Sequence, residues 1–388
     1  MALGYCPSIL LHMEALSACN PAKKLEPLGF TQAVLSQMDD SITSQLNSGY
    51  EAGHTKGVSV KYRKRVLEDE VSDSANTCDT ASTPAYAEFS LPSLSHRSIS
   101  FWMPDELLRN YCSDVSKYVK LNSSGIAAMN QNTQVMSEVY ETIIEYGRAL
   151  LKSINTLLVT QMSTQFGMNV TTDSDAATSI QFSLGKNGMQ DAFVRLMSDL
   201  RENEICENVT MVGNGDFANI ELVRKWFANA GADNGLNKAA MINDIPKVFF
   251  DKSTKNIWGA NQIGVFEKGS MGLITRNLYT GSFARRLANS ELFSMALPVN
   301  EYCCPQEYLD RLMFDVQIRE IDCPTTLIVN GVEDTVSQGV QVILSWNGAL
   351  FVKPDNLYEA EDELYGTNGT LRYEISACDE GCDDLGSL

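Results

Sequence analysis

Residues 133–166 read TQVMSEVYETIIEYGRALLKSINTLLVTQMSTQF, and this stretch decides the fold class. Its apolar residues recur every three or four positions, which is the spacing of one face of an α-helix. At 1.5 Å per residue, the stretch predicts one nearly continuous helix of roughly 50 Å. A coiled coil is the alternative, but the stripe drifts from the heptad spacing that a coiled coil needs. The stripe consists of Met136, Val139, Tyr140, Ile143, Gly147, Leu150, Ile154, Leu157, Leu158 and Met162.

A long hairpin is predicted upstream of this helix, over residues 55–100. GVSVKYRKRV at 57–66 alternates in part, residues 72–86 are small and polar, and residues 87–101 are extended again. Because an isolated hairpin is marginally stable in water, we expect this one to rest on a partner. A surface hairpin that packs on its own domain is the alternative.

The segments around these two complete a mixed α+β pattern. Residues 30–46 carry an apolar stripe that predicts a short helix lying on another surface. VTMVGNGDFANIELVRKWF at 209–227 predicts a strand, a turn and a helix. Short strand candidates follow, and one of them is Ile257–Trp258. Stretches rich in β-branched residues predict further strands at 312–320, 325–329 and 341–352.

The composition limits the classes of function. The chain has 388 residues, of which 44% are hydrophobic and 20% charged, as in ordinary globular proteins. Its net charge is −19, and residues 354–388 hold ten acidic residues against Arg372 alone. Such a chain is not expected to bind nucleic acid through a broad basic face, although it could enclose it. The ten cysteines lack zinc-site spacing and are expected to be free thiols. We predict no membrane span.

Catalytic motifs are incomplete in this sequence. The three histidines, His12, His54 and His96, all precede the long helix, so a Ser-His-Asp site is not expected. KGSMG at 268–272 lacks the first glycine of a nucleophile elbow, and we interpret it as a turn. GNG at 213–215 supplies only two glycines of a dinucleotide motif. We therefore predict no catalytic residue, no cofactor and no metal; an enzyme with an unrecognised active site is the alternative.

One basic cluster stands out in this acidic chain. We interpret it as a contact with an adjacent subunit; a short nucleic-acid patch and a solvated strand are the alternatives. Carboxylates on the outer face of the long helix are its expected partners. The cluster is Lys61, Arg63, Lys64 and Arg65, and the helix carboxylates are Glu138, Glu141 and Glu145.

Several segments occur in an order that resembles tailed-bacteriophage major capsid proteins of the Hong Kong 97 fold. The resemblance covers most of residues 30–330. GVSVKYRKRV comes first. It is followed by SISFWMPDELLRNY (98–111), SEVYETIIEYGRALLKSINTLL (137–158), VTMVGNGDFANIELVRKWFANAG (209–231) and GVFEKGSMGLITRN (264–277).

The resemblance implies both an architecture and a function. It implies a protein that self-assembles into hexamers and pentamers of the icosahedral head shell enclosing double-stranded DNA. That shell would be the virion capsid, assembled in the host cytoplasm. Portal, scaffold and decoration proteins would be further partners. A tail or portal component is the alternative. The implied parts are an N-terminal arm (1–54), an E-loop hairpin (55–100), a peripheral domain with a spine helix (101–205, helix 133–166), an axial domain (206–320), and a β-rich return to the peripheral domain with an acidic end (321–388).

Overall fold

The computed structural model describes fifteen stretches of the chain, and all structural statements concern these residues. They form two compact units, which are described separately. The first unit draws on residues 94–154 and 275–348, and the second on 28–93, 155–274 and 349–388. The described residues are 29–38, 59–63, 86–90, 94–104, 134–183, 188–205, 209–214, 247–276, 285–287, 290–296, 313–321, 325–329, 332–336, 339–353 and 368–378.

The helices and strands are named in chain order. The helices are α1 (Gly29–Gln37), α2 (Gln134–Ser163), α3 (Gly188–Glu202) and α4 (Lys252–Ile257). The strands are β1 (Ser59–Arg63), β2 (Tyr86–Ser90), β3 (Ser95–Pro104), β4 (Thr178–Ser183), β5 (Thr210–Gly213), β6 (Lys247–Phe250), β7 (Gln262–Phe266), β8 (Met271–Thr275), β9 (Arg285–Leu287), β10 (Ser290–Ala296), β11 (Met313–Ile321), β12 (Thr325–Val329), β13 (Val332–Val336), β14 (Gly339–Val352) and β15 (Thr370–Cys378).

Helix α2 confirms the helix predicted from the apolar stripe, since it runs unbroken from Gln134 to Ser163. Its buried positions recur every three or four residues, as at Leu150, Ile154 and Leu158. Gly147 within the helix costs about 1 kcal/mol relative to alanine. Each buried large apolar side chain contributes about 1.5–3 kcal/mol, so burial of the stripe outweighs the glycine.

The first unit is built on a mainly antiparallel sheet. Its strand order is β3-β14-β11-β10-β9. Strand β14 alternates from Gln341 to Asn347, with Val342, Leu344 and Trp346 buried and the residues between them half-exposed. This period of two is that of a sheet with one face against a core. Helix α2 contacts the sheet where Tyr146 stacks on Phe101, with ring centroids 4.3 Å apart.

The second unit is built on a mixed five-stranded sheet of order β4-β15-β7-β5-β6. β4 runs parallel to β15 and β5 parallel to β6, while β7 is antiparallel to both β15 and β5. One face packs against α3 through the apolar residues of a single cluster. That cluster is Ile180, Leu196, Leu200, Ile205, Val209, Met211, Ile263, Val265, Leu371, Tyr373 and Ile375.

Aromatic rings from four separate segments meet around Phe266 of β7. Phe30 of α1 makes edge contacts with Trp258 and Phe266, with centroids 5.6 and 5.8 Å apart. Phe166, just beyond α2, also contacts Trp258 and Phe266. Because aromatic pairs at these separations add to the burial energy, this group joins α1, α4 and β7 firmly.

Three expectations differ from what the structure shows. Residues 95–100, predicted as part of the hairpin, pair with β14 instead, since β14 offers β3 a backbone edge for ten facing residue pairs. Residues 29–38 of the predicted arm pack into the core of their own unit, because Phe30, Ala33 and Val34 are fully buried there. Ile257–Trp258, predicted as a strand, ends helix α4, which Asp251 caps.

The predicted boundary between the peripheral and axial domains, at residue 206, falls within a single sheet. β4 and β5 lie on either side of that residue, yet both belong to the five-stranded sheet. The limits of the compact units fall within α2, between Ile154 and Asn155, and within β14, between Gly348 and Ala349. The peripheral and axial assignments therefore stay predictions. The helix predicted at 217–230 lies outside the described residues.

Candidate assembly surface

The basic cluster begins in a two-stranded antiparallel ladder formed by β1 and β2. Lys61 lies opposite Glu88, and Arg63 lies opposite Tyr86. Lys64 and Arg65 lie outside the described residues. Since facing residues of an antiparallel pair share a face of the sheet, the register gives the ladder one polar and one apolar side. The apolar positions are Val60, Tyr62, Ala87 and Phe89.

This ladder has no third strand among the residues that the structure describes. A two-stranded hairpin by itself is marginally stable in water and needs a further strand or a packed surface. Its apolar positions also lose their hydrophobic stabilisation if they face solvent. The β1–β2 ladder is therefore the strongest candidate in the described chain for a surface that another molecule covers.

The carboxylates predicted to receive the basic cluster all lie on α2. Glu145 is 74% exposed and forms an ion pair with Arg148 at 3.3 Å, one helical turn away. An exposed pair of this kind contributes only about 0–1 kcal/mol. Glu138 and Glu141 precede it on the same helix. These carboxylates and the basic cluster belong to different compact units, and their mutual contact stays a prediction.

The carboxylate of Asp251 holds the start of α1 in place. Its Oδ2 accepts hydrogen bonds from the backbone N–H of Phe30 at 2.9 Å and from Asn155 Nδ2 at 2.7 Å. Its Oδ1 accepts from the N–H of Ser253 at 2.8 Å, which caps α4. One buried acidic residue thereby serves two helix N-termini, where negative charge is favoured.

Asn155 completes this anchor from within α2. Its Oδ1 accepts from the backbone N–H of Thr31 at 3.1 Å and from the Thr31 hydroxyl at 2.9 Å. The side chain is fully buried, and a buried amide is costly unless it is hydrogen-bonded. The paired network therefore fixes where the N-terminal segment enters the second unit.

A second polar network centres on Asp199 of α3. Its Oδ2 accepts from the Tyr373 hydroxyl at 2.7 Å and from Asn169 Nδ2 at 2.8 Å, and its Oδ1 accepts from Thr171 Oγ1 at 2.6 Å. Asn203 Nδ2 donates to Asn169 Oδ1 at 3.0 Å. These bonds tie α3, the loop after α2 and the inner strand β15 together.

The surroundings of Tyr373 shift the pKa of its hydroxyl. Burial raises the pKa of the Tyr373 hydroxyl far above its ordinary range, and the hydrogen bond to the Asp199 carboxylate raises it further. Ionisation would place a phenolate beside a carboxylate inside the core. The network therefore requires a neutral tyrosine.

Sequence reasoning missed these anchoring residues, although two signals were present. Asn155 interrupts the apolar stripe between Leu151 and Leu158, and a polar residue at such a position indicates a buried hydrogen-bonded group. Asp251 stands two residues before Ser253 at the start of a short helix, which is N-cap spacing. No local signal links Asp199 to Tyr373, which lie 174 residues apart.

The described part of the chain has neither a metal-site arrangement nor a membrane-spanning helix. No group of three or more histidine, cysteine, aspartate or glutamate residues there is arranged to hold a metal ion. No described helix is both long and apolar enough to cross a membrane.

Comparison with solved structures finds phage capsids. The asymmetric unit of the cyanophage A-1(L) capsid matches with a TM-score of 0.41 and 11% identity, covering 95% of this chain and 98% of that one. The capsid of cyanophage P-SCSP1u matches with a TM-score of 0.40 and 10% identity, covering 84% and 85%. The mature capsid of bacteriophage PhiM1 matches with a TM-score of 0.37 and 8% identity, covering 83% and 82%. No protein-family model and no curated protein matches the chain.

Proposed function

We propose that this chain is the major capsid protein of a tailed bacteriophage. In this proposal its copies assemble into hexamers and pentamers that form an icosahedral head shell around double-stranded DNA. The principal partner is a further copy of the chain, and portal, scaffold and decoration proteins are additional partners. The product is a virion capsid, assembled in the host cytoplasm. The role is structural and assigns no catalytic residue.

The main support for the proposal is the β1–β2 ladder, which has only two strands in the described part of the chain. A ladder of five facing pairs that lacks a third strand among the described residues needs a further strand or a packed surface, and in this proposal a neighbouring copy supplies it. A weak contact is sufficient for assembly when it is repeated around a closed ring, because each copy contributes both of the surfaces that form it. The order of segments in the sequence supports the same function.

The basic cluster and the helix carboxylates are proposed to lie at contacts between subunits. The chain carries 49 acidic against 30 basic residues, so copies repel one another on average. Basic residues on the β1–β2 ladder would offset this repulsion where subunits meet. The cluster comprises Lys61, Arg63, Lys64 and Arg65, and the carboxylates are those of Glu138, Glu141 and Glu145.

The test is to express the full chain alone and to examine it by sedimentation and negative-stain electron microscopy. We expect closed or open shells of large mass. A variant in which a glycine–serine linker replaces residues 59–90 should stay folded by circular dichroism and yield only small species. Tubes in place of shells would indicate a tail component, and a monomeric wild-type chain under all conditions would reject the proposal.

A further inference from the structure

Strand β3 lies at one end of the sheet of the first unit. It pairs with β14 through ten facing residues, and no strand of the described chain pairs with its other side, which is called the free edge below. The other strands at sheet ends are shorter, and the longest of them, β4, has six residues. The free edge of β3 is therefore the longest unpaired backbone edge among the residues that the structure describes, and such an edge is a template for a further strand.

The pairing of β3 with β14 shows which backbone groups face the free edge. Asn347 lies opposite His96, and its carbonyl oxygen accepts from the backbone N–H of Arg276 at 2.8 Å instead of bonding to β3. Because the N–H and C=O of a strand residue point to the same side, Asn347 and His96 form a non-hydrogen-bonded pair. The N–H and C=O of His96 therefore point to the free edge. Every second residue of β3 shares this direction, which gives the outward residues His96, Ser98, Ser100 and Trp102.

Two further observations agree with this direction. The carbonyl oxygen of His96 accepts from the Arg97 guanidinium at 3.2 Å in an exposed position, as expected for an oxygen outside the β3–β14 ladder. Pro104 belongs to the same alternating set and lies opposite Gly339. Proline has no N–H, and a strand tolerates it where that group would face away from the ladder. The free edge is therefore a row of backbone donors and acceptors.

The chemistry of the free edge favours a second copy of this chain as its partner. Residues 94–104 contain no aspartate or glutamate, although the chain has a net charge of −19. Copies repel one another through their carboxylates, so they approach at the least cost along an acid-free segment. A second β3 also matches the edge in length, which no other strand at a sheet end of the described chain does.

We propose that β3 of one copy pairs antiparallel with β3 of a second copy, across a two-fold axis at Ile99. In this register His96 lies opposite Trp102 and Ser98 lies opposite Ser100. The outward residues of the two copies therefore face one another and exchange backbone hydrogen bonds. The contact rests on the proposed capsid function, in which a two-fold contact links neighbouring rings of copies.

The two ends of β3 and its charge select this axis. An axis one residue earlier would leave Trp102 beyond the start of the partner strand, and an axis one residue later would bring in Pro104, which has no N–H to donate. With the axis at Ile99, Arg97 lies opposite Phe101, and no like charges face each other.

Proline substitution tests the pairing because it removes a single backbone N–H. Ser98→Pro removes an outward N–H, so β3 keeps its bonds to β14 and the subunit should stay folded by circular dichroism. Its yield of sedimenting particles should fall by roughly tenfold or more. Ile99→Pro removes an N–H that bonds to β14 and should prevent folding instead. Ser98→Ala keeps the N–H, so its yield should stay well above that of Ser98→Pro.

A cysteine at the proposed axis tests the register and the identity of the partner. Ile99 faces its own copy there, so Ile99→Cys should form a covalent dimer through position 99 when assembled particles are treated with oxidised glutathione. Ser100 faces Ser98, so Ser100→Cys should give about tenfold less linkage between its own copies. Mass spectrometry identifies the linked position, since the chain has ten other cysteines.

The outcomes separate this contact from the capsid function. Wild-type shells together with normal assembly of folded Ser98→Pro would overturn the contact alone. Loss of shells without a link at position 99 would assign the free edge to a different strand and would also overturn the pairing. If Ser98→Pro does not fold, the presence or absence of the link at position 99 decides. A wild-type chain that forms no shells would reject the function on which the contact rests.

Discussion

At the scale of single residues, the backbone around Gly29 leaves no room for a side chain. A Cβ atom at this position would lie 2.2 Å from the carbonyl oxygen of Phe250. That oxygen belongs to the backbone, so it cannot move aside as a flexible side chain could. The contact sets the distance between the start of α1 and the end of β6.

We expect Gly29→Ala to lower the free energy of unfolding of the unassembled subunit by about 1–3 kcal/mol, the usual range for overpacking. Gln32→Ala, at an exposed position of the same helix, is the matched control and should change stability by less than about 0.5 kcal/mol. Urea unfolding followed by tryptophan fluorescence measures both. Equal stability of the two variants would contradict the packing at Gly29.

Tyr373 makes stability depend on alkaline pH. Its pKa is raised in the folded subunit, so its contribution is fully present below the ordinary tyrosine pKa of about 10 and is lost as pH rises beyond it. We expect Tyr373→Phe to lower stability at pH 7 by about 1 kcal/mol and to weaken the loss above pH 10. Tyr146→Phe, at an exposed tyrosine, should leave the pH profile unchanged. Thermal melts from pH 7 to 11 test this, and identical profiles for wild type and Tyr373→Phe would contradict it.

At the scale of elements, α2 shows what periodicity can predict. The apolar stripe predicts this helix almost to both ends, because burial of one face dominates the free energy of a long helix. Residues 371–376 also alternate, with Leu371, Tyr373 and Ile375 buried in β15. The acidic residues around this strand obscure its alternation in the sequence. Short α4 depends on the Asp251 cap and has too few residues for a period to be visible.

The anchoring networks lie beyond what a sequence pattern can give. Phe30 and Asp251 are 221 residues apart, and nothing local to either residue specifies the other. The register of β1 with β2 likewise follows from pairing across a connection of more than 20 residues. Lys61 and Arg63 could be recognised as a cluster, whereas their facing residues became known only from the fold.

The second half of α2 should carry much of the stability of the subunit. Ile154 is fully buried, and we expect Ile154→Ala to reduce the free energy of unfolding by about 2–5 kcal/mol. Ser153→Ala, at an exposed position one residue earlier, should change it by less than about 0.5 kcal/mol. Denaturant titrations of the unassembled subunits measure both, and a loss below about 1 kcal/mol for Ile154→Ala would contradict the packing of this helix.

At the scale of the whole molecule, the charge balance governs how copies meet. Copies of net charge −19 repel one another on average, and we predict that the basic cluster reduces this repulsion where copies meet. We expect Lys61→Gln/Arg63→Gln to assemble less well than wild type near 0.01 M salt, where the Debye length is about 30 Å. The deficit should disappear near 1 M salt, where that length is about 3 Å. Light scattering across a salt series tests this, and a deficit independent of salt would assign the effect to packing.

The position of β15 also determines when a subunit becomes complete during its synthesis. β15 leaves the ribosome after every other described strand, yet it lies between β4 and β7. At 5–20 residues per second, β4 waits roughly 10–40 s for this partner. Nascent chains stalled before residue 370 should therefore remain protease-sensitive over the second unit, and chains extended past Cys378 should become resistant. Resistance before β15 emerges would contradict this order. A subunit that cannot close until late in translation is kept from joining others while it is still on the polysome.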